Sequence, residues 1–218
     1  MSNIDWLAEP SRARKRVIFA RHAQYSCNLR NVCNSDPTIA YDLTELGQQQ
    51  AIDLGERLRD EGIGLIISSA FVRARQTAWL VNQALNVPIV VNQLANENRV
   101  GSALEGQHVE RFLDFIRSAP ATTAAPDGEH FLAMKARIVC LLWELQRSSP
   151  ATILVITHGW PLQAVRVLTG AIGDDAGAMC VDMPGNCATL CGVSTDAIFM
   201  AESVPRTAAQ SVPRHSSE

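Results

Sequence analysis

Two arginines and two histidines stand where buried strands and helices of this chain are predicted to end or begin. His22 follows Arg21 at the end of one short apolar run, and His158 directly follows a second run of the same kind. Arg73 comes one turn into a predicted helix. Guanidinium groups match phosphate oxygens in bidentate fashion, and an imidazole can donate a further hydrogen bond. Grouped together, these four side chains would form a compact cationic pocket for a phosphate.

Such a pocket could also break a phosphate ester. A neutral imidazole whose far nitrogen is held by a hydrogen bond can attack phosphorus in line, giving a phosphohistidine that water later hydrolyses. The departing alkoxide needs a proton, and Glu97 is the one carboxylate in a loop that could roof the pocket. Burial beside a phosphate would raise the pKa of Glu97 into the range of a general acid. The chain has no glycine-rich phosphate loop and no acidic metal cage beside these residues, so side chains must supply the charge.

These residues need a scaffold that brings distant parts of the chain to one edge. Apolar runs of about four to eight residues bounded by polar ones indicate buried strands, and apolar residues at helical spacing indicate helices. The predicted strands cover residues 17–21, 63–67, 88–91, 152–157, 186–193 and 197–201, and the predicted helices cover 44–60, 68–85, 109–116, 131–145 and 162–169. This alternation predicts an α/β fold, a doubly wound and mostly parallel central sheet with helices on both faces. Two adjacent parallel strands would then place His22 beside His158 at their carboxyl ends.

Other stretches carry simpler predictions. Residues 23–43, with several asparagines, an aspartate and a proline, have the composition of an irregular functional loop. We expect Trp79 and Trp143 to pack in the core, and Trp160 to contact a leaving group because it follows His158 so closely.

Length and composition favour one soluble globular domain. The 218 residues are 47% hydrophobic and carry 19 basic against 22 acidic side chains, a net charge of −3. We expect a single domain over 16–201, preceded by a loose leader over 1–15 with a solvated basic cluster and followed by a disordered tail over 202–218. So small a net charge provides no field for nucleic acid or membrane. The predicted partner is a small-molecule phosphate ester, with a homodimer left open.

The sequence also bears on location and metal content. No apolar run approaches the roughly 18 residues of a transmembrane helix, and the first residues lack the features of a signal peptide. Six cysteines are sparse for a disulfide framework, and the spacing of Cys180, Cys187 and Cys191 lacks the CxxC pair of a zinc site. We therefore expect a cytoplasmic protein with reduced thiols, no bound metal and no cofactor.

Six short motifs, taken in order, resemble those of the histidine phosphatase superfamily, the phosphoglycerate-mutase-like fold. They are Arg21-His22-Ala23-Gln24 with Asn28, the stretch DLTELGQQQA at 42–51, the stretch SSAFVRARQTA at 68–78, Glu97, the DGE of 127–129, and His158-Gly159. Each motif alone is weak, but their order over about residues 16 to 193 is highly specific.

The resemblance implies a role for each matching residue. It implies that the catalytic residues are His22 as the phosphorylated nucleophile, Glu97 as acid and later base, and His158. It implies that phosphate is bound by Arg21, Gln24, Asn28, Arg73 and His158. It implies no metal.

Three positions depart from the pattern of the family. Ala23 replaces a glycine beside the nucleophile, so its Cβ could alter the approach of the backbone to phosphate or require unfavourable backbone angles. Tyr25 replaces a small hydroxyl residue at the pocket rim, and His130 replaces a serine after the DGE. These departures bear on rate and substrate more than on fold.

Three functions are compatible with these residues, and we favour the first. It is a metal-independent phosphomonoesterase that hydrolyses a small phosphorylated metabolite. The second is a phosphoglycerate-type mutase, against which stand Gln24 in place of glutamate and a short variable segment between Gly106 and Asp127. The third is a catalytically weak relative that binds phosphorylated ligands, and Ala23 is the feature in its favour.

Overall fold

A five-stranded sheet forms the centre of the protein. The structure is a computed structural model that describes residues 15–174, 180 and 182–194, with backbone alone for 191–194. The strands are β1 (Arg16–Arg21), β2 (Ile63–Ser68), β3 (Ile89–Val91), β4 (Thr152–Thr157) and β5 (Thr189–Ser194). Their order across the sheet is β3-β2-β4-β1-β5, and the first four run parallel while β5 is antiparallel to β1. The predicted mostly parallel sheet is confirmed.

Helices cover both faces of this sheet. They are α1 (Ser26–Arg30), α2 (Glu45–Arg57), α3 (Val72–Leu85), α4 (Val109–Ser118), α5 (Phe131–Gln146) and α6 (Gly159–Leu168), with one turn of 3₁₀ helix at Gln93–Ala95. Alternate residues of β1 face opposite ways, so Val17 and Phe19 join one apolar cluster with α5 and α6, while Ile18 and Ala20 join another with α2 and α3. This two-sided packing is the doubly wound arrangement that the sequence predicted.

Strands β1 and β4 bring the two histidines to the same edge. The two strands pair in parallel with Arg21 opposite Thr157, and the backbone N–H of His22 donates to the carbonyl of Thr157 over 2.9 Å. His22 and His158 therefore leave the sheet side by side, where ligands bind in folds of this kind.

Several local predictions need correction. Residues 23–43 are not irregular throughout, because they contain α1. Trp79 and Trp143 are 62% and 51% exposed instead of packed in the core. Each lies on a helix whose buried stripe falls on another face: Ala74, Thr77, Ala78 and Val81 are buried in α3, and Ile138, Leu141, Leu142 and Leu145 are buried in α5.

The basic cluster before β1 is not fully solvated. Lys15 is buried, and its ammonium group donates to the carbonyls of Ser148, Ser149 and Pro150. The rest of the predicted leader, the second edge strand at 197–201 and the predicted tail lie outside the described residues, so those boundaries stay predictions. Across the described ranges, no helix combines the length and the apolarity needed to cross a membrane.

Candidate active site

A cavity of about 180 Å³ opens at the carboxyl ends of β1 and β4. Five of the seven predicted catalytic and phosphate-binding residues line it, namely Arg21, His22, Asn28, Arg73 and Glu97, and so do Tyr25 and Trp160. His158 is fully buried beside the cavity, with its ring centroid 5.1 Å from that of His22. The structure therefore brings six of the seven predicted site residues to one place, and the seventh, Gln24, lies apart.

One ring nitrogen of His22 is held by a hydrogen bond. Its Nδ1 lies 2.8 Å from the carbonyl oxygen of Ala23, and since a carbonyl can only accept, Nδ1 carries the proton in the neutral ring. Burial, together with the charges of Arg73 and Arg21, holds the pKa of His22 well below its ordinary value of 6.5. The ring is therefore neutral at physiological pH, and its Nε2 keeps a lone pair that can act as a nucleophile.

His158 is also held neutral. Its Nε2 lies 2.7 Å from the hydroxyl oxygen of Ser69, and burial is the largest cause that lowers its pKa well below 6.5. The other ring nitrogen, Nδ1, is buried without a hydrogen-bond partner among the described residues. Two further nitrogens share that condition, Nε of Arg21 and Nε of Arg73. Ser69 donates its own proton to the side-chain oxygen of Asn96 over 3.0 Å, so it accepts from Nε2 of His158, and Nδ1 of the neutral ring keeps a lone pair. The Nε–H groups of Arg21 and Arg73 are donors, and two buried donors without partners are costly, which indicates an anionic ligand that would satisfy them.

Arg73 is locked in place from several sides. One guanidinium nitrogen donates to the side-chain oxygen of Asn34 over 2.6 Å, and another donates to its backbone carbonyl over 3.1 Å. The guanidinium carbon lies 4.5 Å from the ring centroid of Tyr25 and 4.3 Å from that of Phe71, within the range of cation–π attraction. Burial lowers the pKa of Arg73, but an arginine starts so high that it remains charged.

Arg21 is held by the chain that precedes β5. It donates to the carbonyl of Pro184 over 2.6 Å. A Cβ at Gly159 would lie 2.8 Å from the sulfur of Met183 and 3.7 Å from the guanidinium carbon of Arg21, so a glycine after His158 leaves room for this close packing.

Asn28 lines the cavity. Its side-chain oxygen accepts from the backbone N–H of Tyr25 over 3.2 Å and from the amide of Asn186, also over 3.2 Å. Asn186 additionally donates to the carbonyl of His22 over 3.0 Å. The amide oxygen of Asn28 is thus occupied, which leaves its amide NH₂ as the group suited to a phosphate oxygen.

Glu97 stands in the cavity wall with a raised pKa. Burial is the largest cause of the increase, and Arg73 and the backbone N–H of Asn98 oppose it. The loop that carries Glu97 is fixed by Arg137, which donates to the carbonyls of Leu94 and Asn96 over 2.7 and 2.9 Å. A carboxyl that keeps its proton longer than usual can serve as a general acid.

The DGE motif contributes to this support. Glu129 forms a 2.6 Å ion pair with Arg137, and both side chains are largely buried. Glu129 therefore acts on Glu97 indirectly, by holding the arginine that holds its loop. The sequence analysis identified the DGE motif but did not identify Arg137. Glu129 lies just before the predicted helix over 131–145 and Arg137 lies within it, so their opposite charges were a signal that the sequence offered.

Gln24 has a different place from the one the resemblance implied. Its side-chain oxygen accepts from the hydroxyl of Thr44 over 2.8 Å, and its backbone N–H donates to Gln50 over 3.0 Å. A Cβ at Gly47 would come within 1.9 Å of the Gln24 carbonyl oxygen, so helix α2 can pack here only with a glycine. Gln24 is not among the described residues that line the cavity. Its contacts join the loop after His22 to α2, which is a structural role.

The three departures from the family pattern are accommodated. Ala23 is buried in the apolar core and is not among the described residues with a positive φ, so its Cβ costs no strain, and its N–H donates to Thr77 over 3.0 Å. Tyr25 packs its ring on Arg73 and edge-on against His22. His130 caps helix α5 by accepting from the N–H of Ala133 over 3.1 Å, as a serine could.

Fold and site together define a doubly wound α/β protein with two neutral histidines and two arginines at the carboxyl edge of its sheet. The family model of the histidine phosphatase superfamily (branch 1) matches residues 17–187, and the chain belongs to this superfamily.

Named relatives include both phosphatases and mutases. The chain is 28% identical over 193 residues to "Putative phosphoserine phosphatase 2" of Hydrogenobacter thermophilus, covering 81% of this chain and 93% of that protein. It is 30% identical over 182 residues to the 2,3-bisphosphoglycerate-dependent phosphoglycerate mutase of Bartonella tribocorum, covering 74% and 84%. A mycobacterial glucosyl-3-phosphoglycerate phosphatase solved with VO3 has the same fold, with a TM-score of 0.69 and 23% identity over 80% of this chain and 89% of that one.

Proposed function

We propose that this protein is a metal-independent phosphomonoesterase that hydrolyses a small phosphorylated metabolite through a phosphohistidine on His22. The observation that carries the proposal is the state of His22, a buried neutral imidazole whose Nδ1 is bonded to a carbonyl and whose ring lines a cavity that Arg21 and Arg73 also line. Metal ions are unnecessary here, because Arg21 and Arg73 supply the positive charge that a transferring phosphoryl group needs.

The first half of the reaction transfers the phosphoryl group to the enzyme. Arg21 and Arg73 donate to the phosphate oxygens, and His158 joins them when the negative charge of the bound phosphate favours a proton on its Nδ1. Nε2 of His22 attacks phosphorus on the side opposite the ester oxygen. The N–P bond forms as the P–O ester bond breaks, and its electron pair leaves with the ester oxygen. Protonated Glu97 gives its proton to that oxygen, so the product departs as a neutral alcohol.

The second half regenerates the enzyme. Glu97, now a carboxylate, accepts a proton from a water molecule as the water oxygen attacks phosphorus. The N–P bond breaks, its electron pair returns to Nε2 of His22, and inorganic phosphate leaves. The raised pKa of Glu97 suits both steps, because it makes the group an effective acid and then an effective base.

A phosphoglycerate-type mutase is the second candidate, favoured by the similarity to the Bartonella mutase. Both reactions would pass through the same phosphohistidine and differ in whether water or a substrate hydroxyl accepts the phosphoryl group. Release of inorganic phosphate, measured against transfer to added phosphoglycerate, separates the two. The binding-only function loses its supporting feature, since Ala23 adopts ordinary backbone geometry.

The test is phosphate release from an aryl phosphate in the presence of a chelator, by the wild type, His22→Ala and His130→Ser. His130 lies outside the cavity lining and caps a helix, a task that serine also performs, so His130→Ser should keep its activity. Turnover that persists with chelator and vanishes in His22→Ala supports the proposal, as does an acid-labile phosphoryl-enzyme trapped in the wild type. Turnover by His22→Ala, or its loss with chelator, would overturn it.

A further inference from the structure

The part of the cavity away from the phosphate-binding residues is apolar. Helix α4 contributes Val109, Phe112 and Leu113, helix α6 contributes Trp160, and Met183 adds a thioether. The rings of Phe112 and Trp160 meet edge to face with centroids 5.3 Å apart, and both are more than nine-tenths buried. Because Arg21, His22 and Arg73 line the same cavity and would hold the phosphate, the apolar residues of the lining, its apolar wall, are the ones available to a leaving group.

Cations are scarce around this cavity. Among the described residues that line it, Arg21 and Arg73 are the cations, and both are assigned to the phosphate in the proposed mechanism. Arg117 in the last turn of α4 lies outside the lining, although it is near enough to oppose the raised pKa of the lining thiol Cys180. Its charge is matched by Asp114 over 3.0 Å and Glu110 over 3.7 Å. The described residues 182–188, which precede β5, include Asp182 and no lysine or arginine.

A leaving group that carries a carboxylate or a second phosphate would lose its hydration against this wall and gain no counter-charge. A hydrocarbon or aromatic group would instead remove apolar surface from water on both sides. We infer that the substrates are phosphate monoesters of uncharged, largely apolar or aromatic alcohols, and that esters such as phosphoglycerate and phosphoserine are rejected. This inference rests on the proposed phosphomonoesterase activity and specifies its substrate class.

A homologous series of n-alkyl phosphates from propyl to hexyl tests the apolar wall. The basicity of the leaving oxygen is nearly constant along the series, so the chemical step is held fixed while buried area grows. The value of kcat/KM should rise about fourfold with each added methylene until the cavity is filled, corresponding to about 0.8 kcal/mol per buried CH₂. Replacing the terminal methyl by a carboxylate, as in 5-carboxypentyl phosphate, should lower kcat/KM at least about tenfold.

A positive charge introduced among the apolar lining residues should shift the preference from alkyl phosphates towards carboxylated ones. Leu113 is only partly buried, so Leu113→Arg can extend its guanidinium to the cavity mouth. This variant should raise kcat/KM for 5-carboxypentyl phosphate about fivefold, as expected of a partly exposed ion pair, and lower it for hexyl phosphate. Leu113→Gln should lower the hexyl value without aiding the carboxylate. Leu132→Arg, on an exposed position of α5 outside the cavity lining, should change neither.

These outcomes distinguish the inferred substrate class from the proposed phosphomonoesterase activity on which it rests. A flat alkyl series, or preference for the carboxylated ester in the wild type, would overturn the apolar substrate class while leaving the phosphomonoesterase intact. Failure to hydrolyse every ester, aryl phosphates included, would overturn both. A rising alkyl series with the charge reversal in Leu113→Arg supports both. If Leu113→Arg does not fold by circular dichroism, the Leu113→Gln result and the wild-type series still decide the question.

Discussion

The support of Arg73 by Asn34 leads to a sharp prediction about catalysis. Asn34→Ala removes the side-chain oxygen that accepts from the guanidinium over 2.6 Å, while the backbone acceptor at 3.1 Å remains. Both side chains are buried, at 3% and 4% exposure, so water does not readily replace the lost acceptor. Arg73 would then be free to turn from the orientation that receives phosphate.

The expected loss follows from the strength of that bond. A hydrogen bond from a charged donor contributes about 1.5 to 3 kcal/mol, and since one of the two acceptors survives, about 2 kcal/mol is the appropriate value. If this energy is expressed as correct positioning of Arg73 in the transition state, kcat/KM falls roughly 30-fold. The loss should be the same for good and poor leaving groups, because in the proposed mechanism Arg73 binds the phosphoryl group and not the leaving group.

The assay compares kcat/KM of Asn34→Ala and wild type on aryl and alkyl phosphates, with urea unfolding measured alongside. Asn82→Ala is the matched control, since it also removes a hydrogen-bonded asparagine, one that makes two partly buried hydrogen bonds with the backbone of Val87 at the far end of α3. It should lose stability without losing activity. Wild-type kcat/KM in a folded Asn34→Ala protein, or a loss that depends on the leaving group, would refute the reasoning.

Three further predictions concern the proposed acid Glu97, the two buried histidines, and the close packing of Gly47 against Gln24. Glu97→Gln should lower the turnover of alkyl phosphates about 10²- to 10⁴-fold but hardly affect aryl phosphates with good leaving groups; equal losses on both would exclude Glu97 as the acid. His22 and His158 bind protons less readily folded than unfolded, so the free energy of unfolding should fall as pH drops below 6.5, by up to about 1.4 kcal/mol per pH unit for each. A urea-unfolding series in which His158→Asn leaves that slope unchanged would contradict this. Gly47→Ala should destabilise the protein by about 3 kcal/mol, because its Cβ would strike the Gln24 carbonyl, and a wild-type melting curve would exclude that packing.

Much of the fold and part of the site could be predicted from the sequence, because the relevant signals are local. The apolar runs that end at Arg21 and at Thr157 identified the two central strands, and parallel pairing then required His22 and His158 to meet. The order of motifs identified the superfamily, since each short motif carries a local constraint. Thr44 as an N-cap, which accepts from the backbone N–H of Gly47, is one of these.

Other features depended on the tertiary structure, because they arise between residues that no local pattern connects. Gln24 stands within a motif of phosphate-binding residues, yet its side chain bonds to α2. Trp79 is apolar, but the phase of its helix turns it to solvent. In the sequence, Asn34 is one of several polar residues in a loop. Only the structure shows that its side-chain oxygen accepts a hydrogen bond from Arg73, 39 positions away.

The character of the leaving-group wall was likewise beyond sequence reasoning. Its residues come from α4, from α6 and from the segment before β5. In the sequence, each of them has only the features of an ordinary apolar packing position. Local sequence was enough to propose phosphoryl transfer, since Arg21 and His22 stand at the end of a strand in a recognisable motif. The substrate side depends on which distant apolar residues the fold gathers in the same cavity as the nucleophile, and packing alone decides that.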